Sequence, residues 1–160
     1  MPDVHDRATR SRNMSAISGK NTKPELVIRK ALHATGLRYR LHRKDLPGRP
    51  DLVFPKYHAV VFVNGCFWHG HDCALFRWPG SRREFWENKI TSTQVRDARN
   101  LKDLAHRCWR TGIVWECALK GKNRLALTSI TDDIRKWLLS DAPGLSIDGS
   151  GTVISGNDTA

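Results

Sequence analysis

From Val60 to Cys73 the chain reads Val-Val-Phe-Val-Asn-Gly-Cys-Phe-Trp-His-Gly-His-Asp-Cys, and no single kind of structure accommodates all of it. Its first four residues, preceded by Ala59, make a continuous apolar run of the kind expected of a central strand covered on both faces. Asn64-Gly65 then breaks the run. Immediately afterwards two thiols and two imidazoles surround an aromatic pair, Phe67-Trp68. A fold containing this stretch must bury a strand and, at its end, present a cluster that apolar packing does not explain.

The 160 residues suit one domain, long enough to bury its own core. Lys and Arg number 27 against 16 Asp and Glu, a formal charge of +11. That balance points to a polyanion, and with no isolated basic amphipathic helix, to nucleic acid rather than a membrane surface. No apolar run approaches the ~20 residues that span a bilayer, and the first residues lack the apolar core of a signal peptide, so a cytoplasmic protein is expected. Cys66, Cys73, Cys108 and Cys117 would then stay reduced, which favours metal over disulfide.

Taken in order, residues 1–20 read as a basic arm that orders on its partner, 21–140 as the main domain with a metal-held loop at 64–80, and 141–160 as a flexible tail. Thr22-Lys-Pro-Glu25 is a helix-start signature in which Glu25 can cap or serve a site. Leu26, Val27, Ala31 and Leu32 supply that helix's apolar stripe, and Gly36 ends it. Arg38 to His42 alternates as a strand; Asp51–Phe54 and His58–Val63 read as a hairpin through Pro55-Lys-Tyr57. Two helices are expected over 82–90 and 93–108, with a break at Thr91-Ser92. The second carries a stripe of Val95, Ala98, Leu101, Leu104, Ala105 and Cys108, leaving Asp97 and Asn100 off it and Cys108 in the core. A strand over 112–117 and a helix over 130–139 follow.

Zinc takes four thiolate or imidazole ligands in a tetrahedron. Cys66, His69, His71 and Cys73 could supply them, but Cys117, projecting from its strand end, is a rival; the two histidines share parity, so spacing does not choose between them. Whichever imidazole is left over becomes available for chemistry. Hydrolysis of a phosphodiester usually enlists a divalent cation on a carboxylate and a base for the attacking water. Asp51, heading a strand beside the loop, is the candidate carboxylate, and Asp97 can orient a histidine. Phe67, Trp68 and Trp86 either form a small core over the metal or present a wedge to DNA. Adjacent loop residues rarely both face inward, which favours the wedge.

Several ordered segments go further. Asp3-Val-His-Asp6, Ala8-Thr-Arg-Ser11, Asn13-Met14, Leu46-Pro-Gly-Arg-Pro-Asp51, Gly65-Cys-Phe-Trp-His69 with His71 and Cys73, Glu84-Phe-Trp86 and Ile113-Val-Trp-Glu-Cys-Ala-Leu119 resemble the very-short-patch DNA repair endonucleases, over a span reaching about Leu139. The resemblance implies an α/β fold like the type II restriction endonucleases, a central mixed sheet flanked by helices with an added structural zinc. It implies a nick 5′ to the T of a T:G mismatch in duplex DNA, leaving 5′-phosphate and 3′-hydroxyl, in a cell with a cytosine-5 DNA methyltransferase and mismatch-repair proteins. By matching position, Asp51 would hold Mg2+ with the Val63 carbonyl, His69 would be the general base, Asp97 its partner, and Glu25 an active-site acid. Zn2+ would sit on Cys66, His71, Cys73 and Cys117. Met14, Phe67, Trp68, Trp86, Lys89 and Asn64 would meet DNA.

The match is imperfect, since Val63, Asn64 and Thr93 stand where Thr, His and an amide side chain are expected. A backbone carbonyl ligand tolerates Val at 63. Two other readings stand beside the nicking enzyme: a non-catalytic zinc module that binds distorted DNA, and a restriction-like nuclease on paired DNA. The first has no use for Asp51, His69 and Asp97 together. The second would need two chains to cut both strands, and no dimer stripe is evident, so a monomer is expected.

Overall fold

A computed structural model describes residues 22–155. The basic arm and its Met14 lie outside the described residues. Six strands form one mixed sheet in the order β1 to β6: Arg40–Leu41, Leu52–Phe54, Ala59–Asn64, Arg110–Trp115, Gly144–Asp148 and Gly151–Ser155. The β1/β2, β2/β3 and β5/β6 pairs are antiparallel, while β3/β4 and β4/β5 are parallel. Parallel neighbours need crossovers. Of the three helices among the described residues, α1 spans Lys23–Ala34, and the two crossovers are carried by α2, Arg83–His106, and α3, Leu127–Leu138.

Side-chain alternation along the sheet splits the core. Leu52, Phe54, Ala59, Val61, Val114, Leu145 and Ile147 bury one face under Ile28 and Leu32 of α1 and Ile130, Ile134 and Trp137 of α3. On the other face, Val53 and Val60 meet Leu104 of α2 and Leu46 of the preceding loop. That second cluster is small. The space left over between α2 and the sheet becomes the cleft described below.

Three local expectations are corrected. Helix α2 runs unbroken through Thr91-Ser92; these residues cost only a few tenths of a kcal/mol each in a helix, and the Thr93 hydroxyl bonds back to the Lys89 carbonyl at 3.1 Å. Cys108 is exposed rather than core. It takes the left-handed conformation (φ 63°) just past the helix end, where the Trp109 amide donates to Leu104 O and its own amide to Ala105 O, a Schellman termination. The segment read as a flexible tail folds as the β5–β6 hairpin through Ser155. It is tied to α3 by the Thr152 hydroxyl, which donates to Asp133 at 2.6 Å. Polar composition hid a strand pair that draws its stability from a neighbouring edge and from the two buried residues Leu145 and Ile147.

Arg110 fastens the α3 side of this architecture. Its guanidinium donates to the carbonyls of Trp137 and Leu138 at the helix C-terminus, and to Ala142 and Tyr57, at 2.9 to 3.3 Å. A cation here satisfies carbonyls that the helix cannot and complements its dipole. Arg110→Met keeps the apolar stem and removes every donor. Urea unfolding is expected to show a loss of about 2–4 kcal/mol, and a loss under 1 kcal/mol would mean that water replaces the guanidinium freely.

Candidate active site and metal centre

Topology brings the chemistry to one end of the sheet. Strands β3, β4 and β5 run parallel, so their C-terminal ends, Asn64, Trp115 and Asp148, lie side by side. Strand β2 runs against β3, so Asp51, just before β2, returns to that same end. The Val63 amide donates to Asp51 Oδ2 at 2.7 Å, and the other oxygen, Oδ1, lies 3.9 Å from His42 Nε2. Burial pushes the Asp51 carboxyl up to about 6; the Val63 amide pulls it down, and the nearby charge of Glu25 adds to the rise. Asp51, Val63, Asn64, His69 and Asp97 line a single cleft, together with Arg49 and Asn100.

His69 and His71, which spacing could not separate, diverge around Gly70. Gly70 has φ +63°, and a Cβ there would lie 2.4 Å from the Gln94 amide and 2.6 Å from Ile90, so only glycine lets the loop press onto α2 while reversing direction. On one side His69 Nδ1 meets Asp97 Oδ2 at 2.5 Å. A carboxylate there accepts from Nδ1–H, leaving Nε2 with its lone pair, the arrangement that suits an imidazole to take a proton.

On the other side His71 joins a second group. Its ring stacks on Trp115, centroids 4.1 Å apart. Its Nδ1 lies 3.7 Å from Cys117 Sγ, close to the edge of about 3.6 Å for a sulfur–nitrogen pair on a tetrahedral zinc. Cys66, His71, Cys73 and Cys117 offer four ligand atoms within 4.8 Å of one another, a set that can hold a metal ion. Burial pushes the thiols of Cys66 and Cys117 up, yet backbone amides already point at them, Cys117 N to Cys66 Sγ and Gly149 N to Cys117 Sγ, both at 3.3 Å. Donors of that kind suit thiolates held by a cation. Asp148 Oδ2 lies 3.4 Å from His71 Nε2, the carboxylate that steadies a metal-bound imidazole from behind. Asp148 was hidden in the supposed tail. The amide donors and the Asp148 backing are the features by which this site fits a metal.

Helix α2 turns a polar face to the cleft. Trp86, Ile90, Thr93, Asp97, Asn100, Leu101 and Leu104 are its covered positions, whereas Val95 is 63% exposed and Ala98 and Ala105 are also exposed. Of the apolar stripe inferred from spacing, only Leu101 and Leu104 are therefore covered, and Val95, Ala98, Ala105 and Cys108 are exposed. A helix lining a reactive cleft has to point carboxylate and amide groups inward, and Leu104 alone anchors the end that packs.

Glu25 is 1% exposed in the first turn of α1. Thr22 makes no side-chain capping bond. Instead of capping, Glu25 pairs with His42 Nε2 and lies 3.6 Å from Arg29. His42 escaped notice in the sequence, although its amide bonds to Asp51 O across the β1/β2 ladder, so register alone brings it to Asp51. Phe67, Trp68 and Trp86 form one half-buried aromatic group, with ring centroids 5.1 to 6.0 Å apart and Phe76 packed behind Phe67. They are both packed on one another and open to solvent on one side. Exposed Phe85 and Trp78 extend the surface, each under an arginine at 4.2 Å. Lys89 is exposed, and Asn64 is buried at the cleft wall.

Comparison with known proteins adds to this geometry. The family model for DNA mismatch endonuclease Vsr matches residues 2–75. Over 94% of this chain and 97% of its own length, the DNA mismatch endonuclease Vsr of Escherichia coli (strain K12) is 43% identical. The type II nicking enzyme V.XorIIP of Xanthomonas oryzae pv. oryzae is 50% identical over 66% of this chain and 78% of that protein. A further nicking enzyme, V.NmeAIP of Neisseria meningitidis, is 43% identical over 76% of this chain and 87% of its own.

Proposed function

This chain belongs to the Vsr family of DNA mismatch endonucleases, and from that premise we propose that it cuts duplex DNA 5′ to the T of a T:G mismatch, leaving 5′-phosphate and 3′-hydroxyl. It is a strand-nicking DNA endonuclease of mismatch repair. The observation that carries the assignment of roles is the His69–Asp97 pair opening onto the same cleft as Asp51.

In this reading His69 Nε2 accepts the proton of the attacking water, and Asp97 steadies the imidazolium that results. Asp51 Oδ1 and the Val63 carbonyl would hold Mg2+, which when bound stabilises charge at the phosphate and lowers the pKa of a water. Arg49, projecting from the Leu46–Pro50 turn into the cleft, meets the phosphate. Cys66, His71, Cys73 and Cys117 would hold Zn2+, which when bound would brace the loop that carries His69. Glu25 is a further acid of the site.

Phe67, Trp68 and Trp86 act as the wedge into the mismatch, which a weakened base pair admits at a cost of a few kcal/mol. Lys89 and Asn64 add DNA contacts beside it, and Met14 enters from the arm. The acid-bearing β2–β3 hairpin on a mixed sheet supports a restriction-endonuclease-like fold. The enzyme works as a monomer in the cytoplasm, beside a cytosine-5 DNA methyltransferase whose methylated products deaminate to T:G pairs, and hands its nick to repair proteins. None of the described helices is long and apolar enough to cross a membrane.

End-labelled duplexes carrying one T:G pair in randomised flanks, with T:A controls, test this. A magnesium-dependent cut confined to the T strand of the mismatch is expected. Equal cutting of T:A controls would replace it with a nuclease for paired DNA, and tight mismatch binding without any cut would replace it with a silent binding module.

A further inference from the structure

Beside the cleft, three side chains from different parts of the chain converge. A carboxylate oxygen of Glu25 from α1, a ring nitrogen of His42 just after β1 and a carboxylate oxygen of Asp51 just before β2 lie within 4.8 Å of one another. The imidazole touches the Glu25 carboxylate and stands 3.9 Å from Asp51 Oδ1. All three are largely covered, with side-chain exposures of 1%, 19% and 15%. Two carboxylates this close and this dry repel each other; Arg29, 3.6 Å from Glu25, offsets part of that charge, and a cation joining the two carboxylates lowers the cost further. The remaining Asp51 oxygen is already committed to the Val63 amide, so Oδ1 is the one turned to this group.

We propose that His42 is a direct ligand of the catalytic divalent ion in this protein, so that one imidazole nitrogen joins the Asp51 and Glu25 carboxylates and the Val63 carbonyl in a mixed site that favours a first-row transition ion such as Mn2+ over Mg2+. The inference rests on the reading of Asp51 as an ion ligand. The chemistry of the donor set decides the preference. Mg2+ is a hard ion that takes oxygen and keeps its waters, whereas imidazole suits transition ions and lifts their affinity relative to Mg2+. A histidine that served only to hold Glu25 would have no such selectivity.

His42→Gln separates the two roles, because its amide can still donate to Glu25 while offering no imidazole nitrogen. Mn2+ binding to the zinc-loaded full chain, followed by electron paramagnetic resonance without DNA, gives the affinity, and competition by Mg2+ gives the preference. Losing an outer partner of a metal ligand already costs about 10–100-fold in affinity. His42→Gln is therefore expected to weaken Mn2+ binding at least about tenfold and to shrink the Mn2+/Mg2+ preference by a like factor, with an unchanged thermal midpoint. Unaltered Mn2+ affinity in His42→Gln, with binding abolished in Asp51→Asn, would overturn the His42 assignment and leave Asp51 as a ligand. Mn2+ affinity retained in Asp51→Asn would overturn the reading of Asp51 itself.

Discussion

Replacing His69 with alanine is expected to slow single-turnover nicking by about 10²–10⁴-fold, the usual worth of a positioned general base, while the metal bound by the Cys/His group stays at one ion per chain. The two halves of that expectation rest on Gly70. Its positive φ sends His69 to Asp97 and His71 to Cys117, so one imidazole can be removed without touching the other's surroundings. Metal analysis of the purified variant checks one half, and rapid-quench kinetics on a nickable duplex the other. Loss of the metal in His69→Ala would put His69 among the ligands. An unchanged rate would send the search for the base to the group beside the cleft, where His42 stands 3.9 Å from Asp51 and touches Glu25. The same substitution in a protein that merely binds distorted DNA would alter nothing measurable but affinity.

How far the sequence foretold this arrangement depends on what stabilises each part. The α/β class, strands β2, β3 and β4, the Gly36 stop of α1 and the closing helix were legible because local signals and burial agree there: Ala59 to Val61 are fully buried, and Gly36 takes φ +94° just past the helix end. The grouping of Cys66, His71, Cys73 and Cys117 was legible as a set of candidates in which spacing left the histidines open and only the family resemblance named His71; what separates the two imidazoles physically is one backbone angle, at Gly70. Cys117, expected as the last residue of a strand over 112–117, instead lies past the strand end in the short 3-10 turn Glu116–Ala118, so the turn rather than strand alternation brings it to the group.

Other parts were hidden for physical reasons. Periodicity assumes that a helix turns its apolar side inward, and α2 breaks that assumption because the cleft beneath it is lined by Asp97 and Asn100 as well as Leu101. Thus Asp97, read as lying off the packed face, is on it, and Val95, read as core, is in solvent. His42 and Asp148 were missed for a different reason: each is brought to its partner only by strand register, His42 to Asp51 across β1/β2 and Asp148 to His71 beside the end of β4. A two-residue strand such as β1 leaves almost no pattern to read. Glu25 shows the limit of a motif, since Thr-x-x-Glu is a capping signature and here the glutamate turns inward to an imidazole.

Asp51→Asn is expected to abolish ion-dependent nicking and yet to stabilise the ion-free protein at neutral pH. The Asp51 carboxyl is held near 6 in the folded chain, mainly by burial, against an ordinary value of 3.8. Between those two values the folded state binds more protons than the unfolded state, so stability falls as pH rises through that window and remains lower above it. With each pKa unit equal to 1.36 kcal/mol, the penalty at pH 7.5 is about 3 kcal/mol. Asparagine carries no charge and its carbonyl can still accept from the Val63 amide, so it escapes the penalty and keeps the bond. In magnesium-free buffer at pH 7.5 its melting temperature should exceed that of the parent by roughly 5–10 °C, and the gap should close as pH falls toward 4. A divalent ion that binds the folded state should recover part of the parent's deficit above pH 6 and none below pH 4, because only the ionised carboxylate is a ligand. A variant no more stable than the parent at pH 7.5 would mean that Asp51 is solvated well enough to carry its charge without cost. The expected outcome instead identifies the acid as a group kept at the expense of stability, in a position where a cation is what makes its charge tolerable.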